Sequence, residues 1–282
     1  MARSRRWRLI LLLLIVTVSL WSLFPFLWYF LVSLTLPGSI PRSFAPPSTL
    51  TLRTYGAVLF GEGYVDVGTK VSILPNVINS VKVATLTVLL CLFLSTGAAY
   101  IFSRFRSRLL RIALNSLLVV RMTPGVSLAV PIFLMMSQYG LVNTHLGLAL
   151  AHTLLSLPLA IWLLKGFFDT IPIELEEQAA IDGATLLRAL RTIILPLAAP
   201  GVAVTACFIF LASYIEFMFA LILSRGGINT LPLAIAGYKS EHHVFYNEMA
   251  AASFISMIPL ALFFYFVGRY MVSGLSIGAV KS

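Results

Sequence analysis

Apolar residues along the 282-residue chain gather into six runs of membrane-spanning length, at about 9–34, 83–103, 112–138, 146–164, 201–224 and 249–268. A spanning helix needs about 20 predominantly apolar residues, so each run predicts one transmembrane helix. Four runs carry no charge; the third contains Arg121 and the fifth contains Glu216. The first run is too long for the apolar region of a cleavable signal peptide, about 7–15 residues. It also carries the bulky Trp21, Trp28 and Tyr29, which predicts an uncleaved first helix. One long polar stretch, 174–200, interrupts the pattern between the fourth and fifth runs.

That stretch has the punctuation of a helical elbow. Pro172 suits a first helical turn, where its missing N–H is not needed. Glu174, Glu176 and Glu177 crowd the start of the helix, where the dipole favours carboxylates. Gly183 offers a stop in the left-handed conformation, so a helix is predicted over 172–182. Thr185 then serves as N-cap of a second helix. Its apolar Leu186, Leu187, Leu190, Ile193 and Ile194 recur at helical spacing, with Arg188 and Arg191 on another face. Pro196 and Pro200 mark where the fifth span begins. Such an elbow could rest on lipid headgroups or dock on a protein. The inner leaflet is anionic and would select a basic helix. The acidic first helix therefore points to a basic protein surface.

Charge placement orients the spans. The chain is 59% hydrophobic and 11% charged, far below the roughly 25% charged of soluble domains. Its net charge of +10 lies at the ends of apolar runs, which argues against nucleic acid as a partner. Arg3, Arg5, Arg6, Arg8, Arg104, Arg106, Arg108, Arg111, Lys165, Arg188, Arg191, Arg269 and Lys281 fall on one side if both termini are cytoplasmic. Only Arg42, Arg53, Lys70, Lys82, Arg225 and Lys239 fall outside, which is the positive-inside pattern. The expected organisation is a cytoplasmic N-terminus (1–8), a first span (9–34) and an external loop (35–82). A five-helix core (83–268) follows, with the elbow loop at 169–200, then a cytoplasmic tail (269–282). The first external loop is Pro-rich at Pro37-Gly38, Pro41 and Pro46-Pro47, with a short interfacial helix expected over Tyr55–Phe60. A second external loop, 225–248, carries Gly226-Gly227, Pro232 and a polar run from Lys239 to His243. Cys91 and Cys207 lie in apolar runs and read as small buried hydrophobes.

The elbow resembles the EAA loop of permease subunits of binding-protein-dependent ABC importers. Glu177-Gln178-Ala179 precedes Gly183 at the family's spacing, and Ile193-Ile194-Leu195-Pro196 closes the loop; Gln178 stands where the family usually has Ala. The likeness covers most of the chain. It includes Asn79-Ser80, Ala98-Ala99-Tyr100, Gly140 to Thr144 and Phe167 to Pro172. Phe219-Ala220-Leu221 and a MalG-type ending, Gly274 to Lys281, point to the carbohydrate branch. The resemblance implies an all-α membrane protein of six transmembrane helices with the type I ABC importer permease fold and a cytoplasmic coupling-helix loop.

It also implies that Glu177, Gln178, Ala179, Asp182, Gly183, Ile193, Leu195 and Pro196 form the ATPase-coupling segment. The expected partners are a second, MalF-type permease, two ATPase subunits, an extracytoplasmic substrate-binding protein and the lipid of the cytoplasmic membrane. No cofactor is expected on this chain; ATP and Mg belong to the ATPase subunits. The expected solute is a sugar, oligosaccharide or polyol, with a non-sugar such as a glycerophosphodiester as the alternative.

Arg121, Tyr214 and Glu216 are candidate translocation-path residues. An arginine near the bilayer centre should face protein or water, so Arg121 either lines the path or caps carbonyls freed at Met122-Thr123-Pro124-Gly125. Glu216 either lines the path, pairs with a neighbouring subunit, or pairs with Arg121. In place of the Trp-Asn common before the family's Glu-Phe pair, this chain has Tyr214-Ile215. His145 and His152 are expected to bond between helices. No phosphate-binding loop is present, so ATP hydrolysis must belong to another polypeptide. An intramembrane enzyme would need a nucleophile or paired aspartates at depth, and an autonomous channel would need a selectivity filter; neither is visible.

Overall fold

The computed structural model describes residues 5–36, 49–61, 72–224, 226–239 and 244–278. The Pro-rich stretch Pro37 to Pro47, Lys70, Arg225, His242-His243 and the last residues of the tail lie outside the described residues. What is described is almost wholly helical. Four helices are long and apolar enough to cross a membrane: Ile10–Ser33, Leu74–Arg104, His145–Phe168 and Tyr246–Tyr270. Two bent pairs raise the number to as many as six if each is one span.

The chain divides into two compact units, Met1–Pro75 with Ala234–Met257, and Asn76–Leu233 with Ile258–Ser282. In the first unit, α1 (Arg5–Ser33) and α2 (Arg53–Phe60) are tied by polar side chains at the end of α1. Ser33 Oγ lies 2.7 Å from the Tyr55 hydroxyl, and Thr54 Oγ1 donates to the Thr35 carbonyl at 2.5 Å. Asn247 donates to the Leu36 carbonyl at 3.0 Å, and the Phe254 ring meets Phe30 edge-on at 5.2 Å.

The second unit holds the core. Its helices are α3 (Leu74–Arg104), α4 (Arg108–Arg121), α5 (Gly125–Gln138), α6 (His145–Phe168), α7 (Glu174–Ile181), α8 (Leu186–Ala189), α9 (Leu195–Leu197), α10 (Ala199–Tyr214) and α11 (Met218–Leu223). Two further helices, α12 (Leu231–Ala236) and α13 (Tyr246–Gly278), contribute residues to both units. Hydroxyl caps start several of these elements: Ser107 accepts from Leu110 N–H at 3.1 Å, and Thr144 accepts from Gly147 N–H at 3.0 Å. Each satisfies a backbone donor that a helix start leaves unpaired. Gly147 has no room for a side chain, because a Cβ there would sit 2.1 Å from the Leu141 carbonyl oxygen.

Two predicted spans are broken. The third, expected as one helix, is α4 and α5 set at 99°. Pro124 has no N–H to continue the ladder, and Met122 and Thr123 instead bond back to Val119 and Val120. The fifth stops at Tyr214 and resumes as α11 at Met218. At 16 residues, α10 rises about 24 Å, short of the roughly 30 Å hydrocarbon layer. The segment Leu186–Leu197 meets α10 at 79°.

Burial sorts the helices. The most deeply packed long helix is α6, with more than half of its spanning window buried, whereas α1 buries none of its window in this chain. One core cluster joins Val83, Ala129, Ile132, Leu148, Ala149, Phe219 and Leu223 from α3, α5, α6 and α11. A second joins Ala99, Tyr100, Ile161, Leu164 and Phe168 to Leu190, Ile194 and Ala198 of the elbow. This second cluster roots the polar stretch in the apolar helices.

Candidate functional site

The first helix of the elbow, α7, spans eight residues, two shorter at its start than predicted and one at its end. Gly183 takes φ = +81°, a conformation in which any Cβ is strained. There it allows two terminal bonds, Gly183 N–H to the Ala180 carbonyl at 3.0 Å and Ala184 N–H to the Ala179 carbonyl at 2.9 Å. These are the paired bonds of a Schellman motif, and they stop α7 within one residue. Thr185 Oγ1 then accepts from Arg188 N–H at 3.3 Å and starts the second arm.

That second arm is not one α-helix. It runs as α8, a π-helical turn over Leu190–Ile194, and α9. The π turn is wider than an α turn, and such turns mark functional or strained places in helices. Thr192 also bonds its hydroxyl back to the Arg188 carbonyl at 2.8 Å, a contact that tends to bend helices. The apolar residues expected on one face are split: Leu190 and Ile194 are buried, Ile193 is half-buried, and Leu186 and Leu187 are exposed. A π turn shifts the angular register of every residue after it, which periodicity at 3.6 residues does not anticipate.

The acidic start of α7 also departs from expectation. Three carboxylates were read as favourable partners of the helix dipole, but Glu176 is buried while Glu174 and Glu177 are exposed. Glu176 Oε1 takes an ion pair from Arg104 Nε at 2.5 Å, each side chain about a tenth exposed. Glu176 Oε2 accepts from the Tyr100 hydroxyl. The Arg104 fork continues past the carboxylate, with Nη1 donating to the Phe168 carbonyl at 3.1 Å and Nη2 to the Ile171 carbonyl at 3.2 Å. Nearby, Ser103 donates to Asp169 at 2.7 Å and Lys165 pairs with Asp169 at 2.5 Å. Removing one partner of a buried ion pair typically costs about 3–5 kcal/mol, because the other charge is left buried and uncompensated, so Arg104 and Glu176 depend on each other's position.

The remaining coupling candidates fall in two sets. Glu177, Gln178, Asp182, Gly183 and Pro196 are exposed, together with Ile181 at 87%. Ala179 is buried, and Ile193 and Leu195 are half-buried. Gln178 replaces the usual alanine at a position open to solvent, where a longer side chain displaces nothing. Sequence reasoning missed Tyr100, Arg104 and Glu176. Glu176 shares a helix face with the buried Ala179, three residues on, which was the available signal. Arg104 carried no signal beyond its place at the end of an apolar run.

The three path candidates lie apart. Arg121 ends α4 at the 99° bend and is exposed; it makes no hydrogen bond to the carbonyls at 122–125 among the described residues. Tyr214 is buried, with its ring stacked at 5.6 Å on Phe210, which stacks in turn on Phe263 at 3.8 Å. Glu216 sits in the break between α10 and α11 and caps α11. Its carboxylate accepts from Phe219 N–H at 3.0 Å and from Ala220 N–H at 3.3 Å. Its side-chain partner is His152 Nε2 at 3.1 Å rather than Arg121. His152 Nδ1 reaches Ser213 Oγ at 2.7 Å, and His145 Nε2 reaches Asn79 Oδ1 at 2.9 Å, so both histidines bridge helices.

Residues 91–277 match the family described as binding-protein-dependent transport system inner membrane component. The chain belongs to this family. The permease is 35% identical to the trehalose/maltose transport system permease protein MalG of Thermococcus litoralis, with 97% of both chains covered. It is 33% identical to the trehalose transport system permease protein SugB of Mycobacterium tuberculosis, with 93% of both chains covered. In fold it resembles a chain of a bacterial ABC transporter involved in the import of the acidic polysaccharide alginate (TM-score 0.73, 20% identity, 95% of this chain and 98% of that one). It also resembles a chain of the MetNI methionine ABC transporter (TM-score 0.60, 15% identity, 72% of this chain and 95% of that one). The permease is thus a multi-pass membrane subunit of an ABC importer, and ATP hydrolysis belongs to separate ATPase subunits.

Proposed function

We propose that the permease imports a carbohydrate, a sugar or short oligosaccharide, by alternating access. The observation that carries this reading is the near-full-length likeness to permeases named for trehalose and maltose. The exposed Glu177, Gln178 and Asp182 of the elbow, with Ile181 between them, form the face that a basic cleft of an ATPase subunit receives. The ATPase pair holds ATP and Mg. A second, MalF-type permease completes the pathway and an extracytoplasmic binding protein delivers the solute. Both termini lie in the cytoplasm, which puts the elbow on the same side as the ATPases. Arg121, whose guanidinium has no protein partner among the described residues, is available to solute hydroxyls at the broken third span. Tyr214 and Glu216 shape the path from behind, through stacking and capping.

The test is solute uptake by proteoliposomes holding the four-subunit complex, with the cognate binding protein outside and ATP inside. A panel of maltose, trehalose, a polyol, a glycerophosphodiester and methionine separates the classes. ATP-dependent accumulation of one or more carbohydrates is expected. Uptake confined to the non-carbohydrates would overturn the reading.

A further inference from the structure

The two arms of the elbow are wired differently to the membrane helices. On the first arm, Arg104 is the last residue of α3, and its guanidinium reaches the Glu176 carboxylate and the Phe168 and Ile171 carbonyls at once. Tyr100, one turn earlier on α3, donates to the other oxygen of the same carboxylate. Its ring meets Phe168, the last residue of α6, edge-on at 6.5 Å. A planar guanidinium presents its donors in a rigid fork, so its three acceptors cannot move independently without losing a bond. On the second arm, the route from α8 to α10 passes through a π turn, Pro196, Pro200 and a 79° bend. Each proline removes a backbone donor, and the arm's intrahelical bonds are the ones already rearranged.

We infer that Arg104 and Glu176 are positioning residues for energy coupling. They fasten α7 to α3 and α6, so that a displacement of α7 is delivered to those two spans while the second arm yields toward α10. This rests on the reading that α7 receives the ATPase stroke. A push on α7 then meets a stiff path, in which relative motion must separate a buried ion pair. The other path runs through the π turn and the 79° bend and holds no such ion pair among the described residues, only the apolar packing of Leu190, Ile194 and Ala198. Neither residue touches the ATPase in this account; both act through the exposed face that Glu177 and Asp182 carry.

The experiment measures ATP hydrolysed per solute imported by the complete complex in proteoliposomes, with the binding protein and its solute present. Glu176→Gln keeps the shape and removes the ion pair. It is expected to retain ATP hydrolysis while transport falls, raising the ratio by about fivefold or more, the lower end of typical coupling between sites. Tyr100→Phe removes one hydroxyl and should raise the ratio less. Arg104→Lys keeps the charge but loses the fork, and is expected to lie between. An unchanged ratio in Glu176→Gln and Arg104→Lys overturns the inference, as does a fall of hydrolysis and transport in parallel with the amount of assembled complex. Glu177→Lys separates this from the parent reading. If it releases the ATPase while Glu176→Gln leaves the ratio unchanged, only the fastening fails. If Glu177→Lys leaves ATPase association intact, the docking face itself has been misplaced.

Discussion

Replacing Gly183 in graded steps isolates the backbone stop of the coupling helix. At φ = +81° an added Cβ meets nothing within 4 Å, so the whole penalty is conformational. An L residue in this region costs roughly 1–2 kcal/mol, and asparagine costs less because its short polar side chain tolerates the left-handed region. A change of that size shifts the balance between the ordered and frayed ends of α7 by a factor of about 5–30. With only eight residues, α7 is below the roughly 12–15 at which an isolated helix is even marginal, and it has little internal stability to absorb the loss. Proline fixes φ near −65° and has no N–H, so it also removes the bond from residue 183 to the Ala180 carbonyl. Coupled uptake in proteoliposomes should therefore fall in the order Gly, Asn, Ala, Pro, while membrane insertion and complex assembly persist in the Asn and Ala variants. If alanine transports as well as asparagine, or better, the stop is not maintained by backbone conformation and the reasoning fails.

Four further outcomes follow from named residues. Glu177→Lys reverses the charge of the exposed face, and co-purification of the ATPase subunit should drop with the permease still inserted. Gly201→Ala places a Cβ 2.2–2.6 Å from the Phe167 side chain in the packed α6–α10 seam. Overpacking of this kind costs about 1–3 kcal/mol, visible as a lower midpoint in thermal unfolding of the detergent-solubilised complex. Thr185→Ala removes the cap on Arg188 N–H, at about 1 kcal/mol. Lys165→Ala breaks only a partly exposed pair with Asp169 and should leave uptake near the wild-type level; a larger effect from Lys165→Ala than from Thr185→Ala would contradict this ranking.

Much of the fold is legible along the chain because lipid enforces a simple rule. Every backbone polar group in the hydrocarbon must be satisfied internally, so a long apolar run has few conformations open to it. The short helix at Arg53–Phe60, the glycine stop and the Thr185 cap were readable for a related reason: each depends on residues within four positions of one another. The breaks at Met122–Pro124 and Ile215–Phe217 were less legible. Pro124 signals the first, but not its 99° angle or the packing of Ala129 and Ile132 against α3, α6 and α11 beyond it. Glu216 is the local signal of the second, three residues before the Phe219 N–H it caps, but its contact with His152, 64 residues away, is tertiary.

The elbow divides along the same line. Its sequence determined a capped helix, a left-handed glycine and a second arm ended by prolines, all from chemistry between near neighbours. Which of three adjacent glutamates turns inward was decided by tertiary structure alone. Arg104 and Glu176 stand 72 residues apart, and no spacing in the chain relates them. A carboxylate can be buried only where a cation and hydrogen-bond donors await it, and Arg104 and Tyr100 at the end of α3 supply both at one point in space.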